Sequence, residues 1–167
     1  TIVRHHFRSI ASTNAWAKQN ISSFPQDGLT LITADEQLEG RGRWKRPWVS
    51  PPFQNIYATF CFFLRSTTQD IGNIPQVLAV TVADVLEALG MNPMIKWPND
   101  LLLSRKKAGG ILCETTIDRE RLAVILGIGL NVNMPPEKLK KIDRPATSLH
   151  EETGKLYEVY ALTDEIA

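Results

Sequence analysis

Residues 40–48 read GRGRWKRPW: two glycines alternate with two arginines, then come two more cations, a proline and a closing tryptophan. Glycine loses backbone entropy in regular elements. Pro47 can neither donate to a ladder nor sit inside a helix. The stretch is therefore a loop, dense in cation, whose backbone can approach a partner closely. Arg41 and Arg43 offer planar donor forks suited to carboxylate or phosphate. A merely solvated basic turn needs neither the glycine spacing nor Trp48, so the reading is an anion-binding loop for phosphate.

The loop divides the chain. Upstream, Ser12-Thr13-Asn14 precedes AWAKQNI as a helix start, and plain capping is the simpler role for these three residues. From Gly28, LTLITADE reads as a strand that delivers the chain into residues 36–48. Downstream, SPPFQN is a turn, and IYATFCFFL is a nearly continuous apolar strand with both faces covered. Residues 70–90 read as a helix capped by Asp70 or Asn73 and stopped at Gly90. Its body, PQVLAVTVADVLEAL, is apolar around most of its circumference, which predicts deep packing on a sheet.

MIKWPNDLLLSRKKAGGILCETT reads strand, turn, strand, turn, strand. The turns fall at Pro98-Asn99-Asp100 and at 104–107, and the last strand runs from near Gly109 through Thr116. Asp118-Arg119-Glu120 is a hairpin tip, and RLAVILGIGLNVN is the next strand. PPEKLKKID makes a short exposed helix with Pro136 in its first turn. A loop through Thr147-Ser148-Leu149 leads to a final helix from about Leu156. The sum is an α+β domain over residues 1–167, a mixed, mostly antiparallel sheet flanked by helices. No GxxxxGK[ST] occurs, and neither GRG nor GIG continues into GxGxxG, which weighs against a doubly wound nucleotide-binding fold.

The totals narrow the function. A chain of 167 residues fits one domain that buries roughly two-thirds of its unfolded surface. A net charge of +1 implies no general attraction to nucleic acid or membrane, so the basic loop is a local device. Cys61 and Cys113 lie in apolar runs without metal-ligand spacing and read as buried, reduced thiols in a cytoplasmic setting. No apolar run approaches membrane-spanning length, and TIVRHHFRS lacks the apolar core of a signal peptide.

Three segments concentrate unusual residues, and all abut strand ends: 37–48, 96–110 and 127–133. Lys106 and Lys107 stand before Ala108-Gly109-Gly110, where missing side chains admit another group; the alternative is a solvated hairpin. Asn99 and Asp100 either stabilise their own turn or, for Asp100, hold Mg²⁺ beside phosphate oxygens. Asn131 is either a strand-end hydrogen bonder or a ligand contact.

Taken together, STN at Ser12, GRGR-x-x-x-x-W, KWPND, KKAGGIL and GIGLNVN, followed by ATSL at 146–149, resemble the catalytic domain of monofunctional biotin protein ligases. The resemblance implies the fold of biotin and lipoate ligases, related to class II aminoacyl-tRNA synthetases. It implies a two-step reaction. Biotin's carboxylate attacks ATP to give biotinyl-5′-AMP and pyrophosphate. A lysine of a biotin carboxyl carrier domain, of acetyl-CoA carboxylase or a similar carboxylase, then displaces AMP. ATP, biotin and Mg²⁺ are implied, with no nucleic-acid or membrane partner and with a homodimer left open.

Carried over position by position, Lys107 and Arg43 are the catalytic candidates. Ser12, Thr13, Asn14, Gln37, Gly40, Arg41, Lys107, Gly110 and Gly129 are the biotin-binding ones. Arg41, Gly42, Arg43, Trp48 and Asn131 match nucleotide-binding positions, and Asp100 is the metal candidate. Charge grows at the α-phosphate during adenylation, and Arg41, Arg43 and Lys107 would neutralise it. A closing loop would keep the mixed anhydride from water.

The chain departs from the pattern at Trp44-Lys45-Arg46-Pro47, where many relatives carry a glycine. It has no N-terminal helix-turn-helix segment, so repressor activity is not expected, and it stops before the small C-terminal barrel that many relatives append. A lipoate or octanoate ligase or transferase shares the fold and acyl chemistry. Biotin is favoured because Ser12, Thr13 and Gln37 supply polar partners for a ureido ring.

Overall fold

The computed structural model describes residues 1–65 and 71–167. Its elements are β1 (Ile2–Phe7), α1 (Thr13–Gln19), β2 (Leu29–Ala34), β3 (Ile56–Arg65), α2 (Ile74–Ala88), β4 (Met94–Lys96), β5 (Asp100–Leu103), β6 (Lys106–Asp118), β7 (Arg121–Leu130), α3 (Pro136–Leu139), α4 (Leu149–Thr153) and α5 (Val159–Ile166). Among the described residues the strands form one seven-stranded sheet in the order β1-β2-β3-β7-β6-β5-β4. β1 and β2 are parallel, and every other neighbouring pair is antiparallel. The expected mixed, mostly antiparallel α+β architecture is present.

The two long apolar runs form the centre. β3 and β7 pair from Ile56↔Leu130 to Arg65↔Arg121, and side chains alternate between faces with period two. On one face, Ile56, Ala58 and Phe60 of β3 join Val124, Leu126, Ile128 and Leu130 of β7 beneath α2 and α5. On the other, Ile32, Cys61, Ala123 and Ile125 pack with Ala17, Ile21 and Phe24 of α1 and the turn behind it. Both faces are covered, as continuous hydrophobicity predicts.

Tight turns explain the main departure in register. Ser104 (φ 48°) and Arg105 (φ 63°) lie in the left-handed region, as do Arg119 (φ 48°) and Glu120 (φ 68°). Two consecutive residues of this kind reverse the chain in a two-residue hairpin matched to strand twist. The β5–β6 turn is therefore Ser104-Arg105 alone. Lys106 pairs with Leu103, so β6 begins at Lys106 and ends at Asp118, not at Gly109 and Thr116 as expected.

The remaining differences have local causes. β1 is not apparent in the sequence because RHH interrupts its apolar pattern; it is an edge strand with one half-covered face. Ser148 is an N-cap that accepts from the Glu151 N–H, and Gly154 (φ 70°) ends α4, so a helix of one turn stands where a loop is expected. α5 starts at Val159 and not near Leu156. α3 is short and mostly exposed, but Leu139 is buried. Asp70 lies outside the described residues. Asn73 occupies the N-cap of α2 without a side-chain cap bond, and Gly90 (φ 83°) stops the helix as expected.

α2 is not buried all round. Leu78, Ala79, Val82, Ala83 and Leu86 form one buried stripe, while Val77 is 67% and Val80 49% exposed. With its preceding turn it also forms an 18-residue segment, Ile71–Ala88, of mean hydropathy 1.2, long and apolar enough by length and composition to cross a membrane. The expectation that no apolar run approaches spanning length is thus too strong. A core-facing helix of a folded domain meets the same criterion, and this one lays its stripe on the sheet.

Leu86 is fully buried in the α2–α5 layer. Leu86→Ala is expected to cost about 2–5 kcal/mol through lost transfer energy and a cavity. Val77→Ala on the exposed side should stay within about 0.5 kcal/mol. Urea unfolding midpoints of the two variants check the assignment of faces.

Candidate functional site

The site lies on the sheet face that carries α1. Its floor is a strip without side chains. Gly127 and Gly129 are two apart on β7 and so share a face. Gly110 of β6 is the cross-strand partner of Gly129, and Gly127 stands between Thr59 of β3 and Leu112 of β6. A Cβ on Gly127 would collide with the Asn14 amide, and one on Gly129 would collide with the Trp48 indole. A Cβ on Gly110 would come within 3.3 Å of both Lys107 and Trp48. Two side chains from elsewhere thus lie flat on bare backbone.

At the inner end, the N-terminus of α1 forms a buried polar cluster. Ser12 caps the helix, its Oγ accepting from the Ala15 N–H at 3.3 Å. The Thr13 N–H donates to Gln37 Oε1 at 2.9 Å, and Gln37 Nε2 donates to Ser50 Oγ. Asn14 Nδ2 donates to the Leu112 carbonyl and to Glu114, both at 3.2 Å. Thr59 Oγ1 sits 2.8 Å from Thr13 Oγ1 and 2.7 Å from Asn14 Oδ1. This end is polar but carries no charge that faces the cleft.

The cationic loop folds over the middle as a closed flap. The Trp48 N–H donates to the Gly40 carbonyl and the Gly42 N–H to the Arg46 carbonyl, each at 2.8 Å. A 3₁₀ turn over Arg43–Lys45 makes its tip, with Trp44 and Lys45 at positive φ. The flap brings Trp48 under Lys107, whose Nζ lies 5.4 Å from the indole centroid. Lys107 is only 17% exposed, and its Nζ donates to Asp100 Oδ1 at 2.7 Å. The Trp48 indole N–H is buried and has no partner among the described residues. At the tip, Arg43 Nη1 donates to Asn99 Oδ1 at 3.3 Å, and Asn99 is itself held by the Ile111 carbonyl at 2.9 Å. Arg41 turns to Glu39 on the rim.

The outer corner is braced by the segment after α3. The Lys107 N–H donates to the Pro145 carbonyl, and the Thr147 N–H donates to the Lys107 carbonyl. Asn131 Nδ2 donates to the Thr147 carbonyl at 3.0 Å, and Asn55 reaches Asn131 Oδ1 at 3.4 Å. Glu152 accepts from Ser104 and from Thr147 Oγ1. Burial alone would raise its carboxyl, but those two bonds and the nearby Lys106 charge hold it below its ordinary value.

The cleft has a volume of about 310 Å³, the size of a small-ligand site. Among the described residues it is lined by Arg41, Arg43, Arg46, Lys96, Lys107 and Arg144 against Asp100 and Asp143. This is a strong local excess of positive charge in a chain of net +1. Groups of three or more His, Cys, Asp or Glu able to hold a metal are absent among the described residues. Burial pushes the Cys61 thiol up to about 12, and burial with Glu114 raises Cys113, so neither offers a ready thiolate. Cys113 is half-buried, where full burial was expected.

The structure brings Ser12, Thr13, Asn14, Gln37, Arg41, Gly42, Arg43, Trp48, Asp100, Lys107, Gly110, Gly129 and Asn131 to this one cleft. Gly40 is the exception. It is buried against the Trp48 carbonyl and Ser50, where a side chain would not fit, so it closes the flap and does not line the cleft. Asn14 and Asn131 line the cleft, yet their amides are committed to protein partners; Asn131 is a strand-end hydrogen bonder. Sequence reasoning missed Thr59, Asn55 and Glu114. Thr59 is a hydroxyl inside an otherwise apolar strand, a signal that could have singled it out. Asn99, read as a turn former, is also the partner of Arg43.

The sequence pattern of the Biotin/lipoate A/B protein ligase family matches residues 6–131. The bifunctional ligase/repressor BirA of Bacillus spizizenii is 37% identical over 152 residues, covering 87% of this chain and 46% of that protein. The chain thus spans less than half the length of this curated relative. Among solved structures, the biotin protein ligase from Aquifex aeolicus in complex with biotin and ATP superposes with TM-score 0.78 at 32% identity, covering 98% of this chain and 66% of that one. The Leishmania major biotin protein ligase in complex with biotinyl-5-AMP gives 0.77 at 26% identity, covering 98% and 71%.

The brace through Glu152 predicts a pH effect. A carboxyl held below its unfolded value adds stability at neutral pH, and that stability fades as pH falls through the folded value. Glu152→Gln should therefore be less stable than the parent at pH 7. The gap should narrow as the solution falls through and below roughly pH 4, where carboxyls protonate. Urea midpoints at pH 7 and pH 3.5 measure it, and a gap that is constant with pH would show that the charge is not what matters.

Proposed function

The chain belongs to the Biotin/lipoate A/B protein ligase family, and on that premise we propose that it activates biotin with ATP and passes the biotinyl group to a protein lysine. The observation that carries this reading is the order of chemistry along one cleft. A neutral polar end at Ser12, Thr13 and Gln37 is followed by one half-buried cation, Lys107, and then by a cationic mouth. A substrate that fits has a neutral polar head, a carboxylate in the middle and a polyphosphate beyond it.

In the first step a carboxylate oxygen of biotin attacks the α-phosphorus of ATP, and the bond to the departing pyrophosphate breaks. Lys107 exchanges Asp100 for the carboxylate and the α-phosphate, where its charge opposes the negative charge that builds up. Arg43 and Arg41 neutralise the outer phosphates from the flap. Trp48, seated on Gly110 and Gly129 beside Lys107, borders the adenylate. In the second step the amine of a carrier lysine attacks the acyl carbon, AMP leaves with the bonding electrons, and the amine loses a proton to solvent. The acceptor is a biotin carboxyl carrier domain of a carboxylase.

Asp100 would be the residue to hold a Mg²⁺ ion, since a single carboxylate suits an ion that keeps waters and takes phosphate oxygens, and its contact with Lys107 would have to be given up for that. The ion would supply neutralisation of the triphosphate charge.

Biotin-dependent ATP–pyrophosphate exchange, with lipoate in parallel, tests the proposal. Exchange with lipoate alone would move the substrate to the other branch of the family, and exchange with neither acid would sink the enzyme reading. Lys107→Ala should lower the exchange rate by roughly 10²-fold or more, in line with loss of a preorganised donor, and should weaken biotin binding. Lys106, which points out of the cleft at the start of β6, should tolerate the same change.

A further inference from the structure

We propose that Thr59, buried in the middle of β3 and outside the cleft wall, is a positioning residue that sets which way the Thr13 hydroxyl faces a ligand. The inference rests on the biotin reading above and concerns how that site recognises a ring N–H.

The argument is a count of protons. Three close oxygen–oxygen contacts meet here: Thr59 Oγ1 to Asn14 Oδ1 at 2.7 Å, Thr59 Oγ1 to Thr13 Oγ1 at 2.8 Å, and Thr13 Oγ1 to Gln37 Oε1 at 3.1 Å. Only the two hydroxyls carry protons among these atoms. The amide orientations are fixed from outside. The Thr13 N–H donates to Gln37, so the atom there is Oε1. Asn14 donates to the Leu112 carbonyl, so its other end is Oδ1. Both amide oxygens can only accept.

The Thr59 proton therefore goes to Asn14 Oδ1, which has no other donor among the described residues. The Thr13 proton then goes to Thr59 across the 2.8 Å contact, since two hydroxyl oxygens that close need a proton between them, and the 3.1 Å contact to Gln37 Oε1 is the one left without it. With its proton drawn into the protein, Thr13 turns a lone pair to the cleft. Ser12 does the opposite. Its oxygen accepts from the Ala15 N–H and donates to no group among the described residues, so its proton is available. Side by side, Ser12 offers a donor and Thr13 an acceptor. This pattern complements the adjacent C=O and N–H edge of a cyclic urea. Thr59 can reach Thr13 and Asn14 only because its β7 neighbour is Gly127, where a side chain would displace Asn14.

Thr59→Val keeps the shape and removes the hydroxyl, so the Thr13 proton loses its nearest acceptor and divides between the longer Gln37 Oε1 contact and the cleft, where it opposes the ligand N–H. In the full-length protein, the KM for biotin in pyrophosphate exchange should rise about tenfold, the scale of one misdirected hydrogen bond. The KM for ATP and kcat at saturating biotin should stay within twofold of the parent, and Thr59→Ser should restore the biotin KM. A merely structural role would move all three constants together. Should Thr59→Val not fold, Thr59→Ala is read by the same ranking. An unchanged biotin KM in the hydroxyl-free variant, a parallel shift in ATP KM and kcat, or no recovery in Thr59→Ser would each overturn the inference and leave the biotin reading intact. A parent protein with no biotin-dependent exchange would overturn both.

Discussion

Gly110, Gly127 and Gly129 leave one face of the β6–β7 ladder bare, and most of the site depends on that absence. Strand-centre glycine weakens a sheet, so its presence marks a place where something must come close to the backbone. Here two different groups do so. The amide of Asn14 occupies the space above Gly127 and ties α1 to β6 through the Leu112 carbonyl. The indole of Trp48 occupies the space above Gly129 and Gly110 and anchors the returning limb of the flap. Side chains at these positions would push both elements off the sheet and merge the cleft with solvent.

The bare strip also governs the electrostatics. Lys107 is brought close to an aromatic face and kept mostly from water, where a cation–π contact is worth about 0.5–2 kcal/mol. Its partner Asp100 keeps the charge compensated until another anion is present. A partly buried ion pair of this kind is a weak source of stability, since desolvation offsets much of the attraction. It is better understood as a charge held ready. The cations of the flap and of the 96–100 turn, by contrast, are exposed, and their contacts among the described residues are light: Arg43 to Asn99 and over the Trp44 ring, and Arg41 to Glu39. They shape the field at the mouth more than they hold the fold together.

The opposite face of the sheet carries the mechanical load. The layer of α2 and α5 on β3 and β7 supplies the larger apolar cluster, and it is insulated from the cleft by the sheet itself. Neutral polar recognition at one end and charge at the other can therefore be built on α1, the flap and strand ends without interrupting the main core. Glu152, Thr147 and Asn131 then lock the segment after α3 to the start of β6, so the backbone of Lys107 is held from both sides.

What could be read from the linear chain is what depends on local rules. Continuous apolar runs declared β3 and β7, and Gly90 declared the end of α2. The glycine–cation loop and the lysine before Gly109-Gly110 declared an anion site, and the ordered motifs declared the family. The two-residue turn at Ser104-Arg105 and the one-turn helix α4 were not legible, because positive φ at Ser and Arg, or a single capped turn, leaves little trace in composition. β1 was hidden because an edge strand beside a half-covered face tolerates Arg and His. The side of the sheet that carries the site, the removal of Gly40 from the cleft wall, the commitment of Asn14 and Asn131 to protein partners, and the reach of Thr59 to Thr13 were decided only by tertiary structure. Gly40 depends on how the flap closes on Trp48 and Ser50, the others on contacts between residues far apart in the chain, and strand register, which places Gly127 opposite Thr59 and Gly129 opposite Gly110, is a property of pairs that no single stretch of sequence contains.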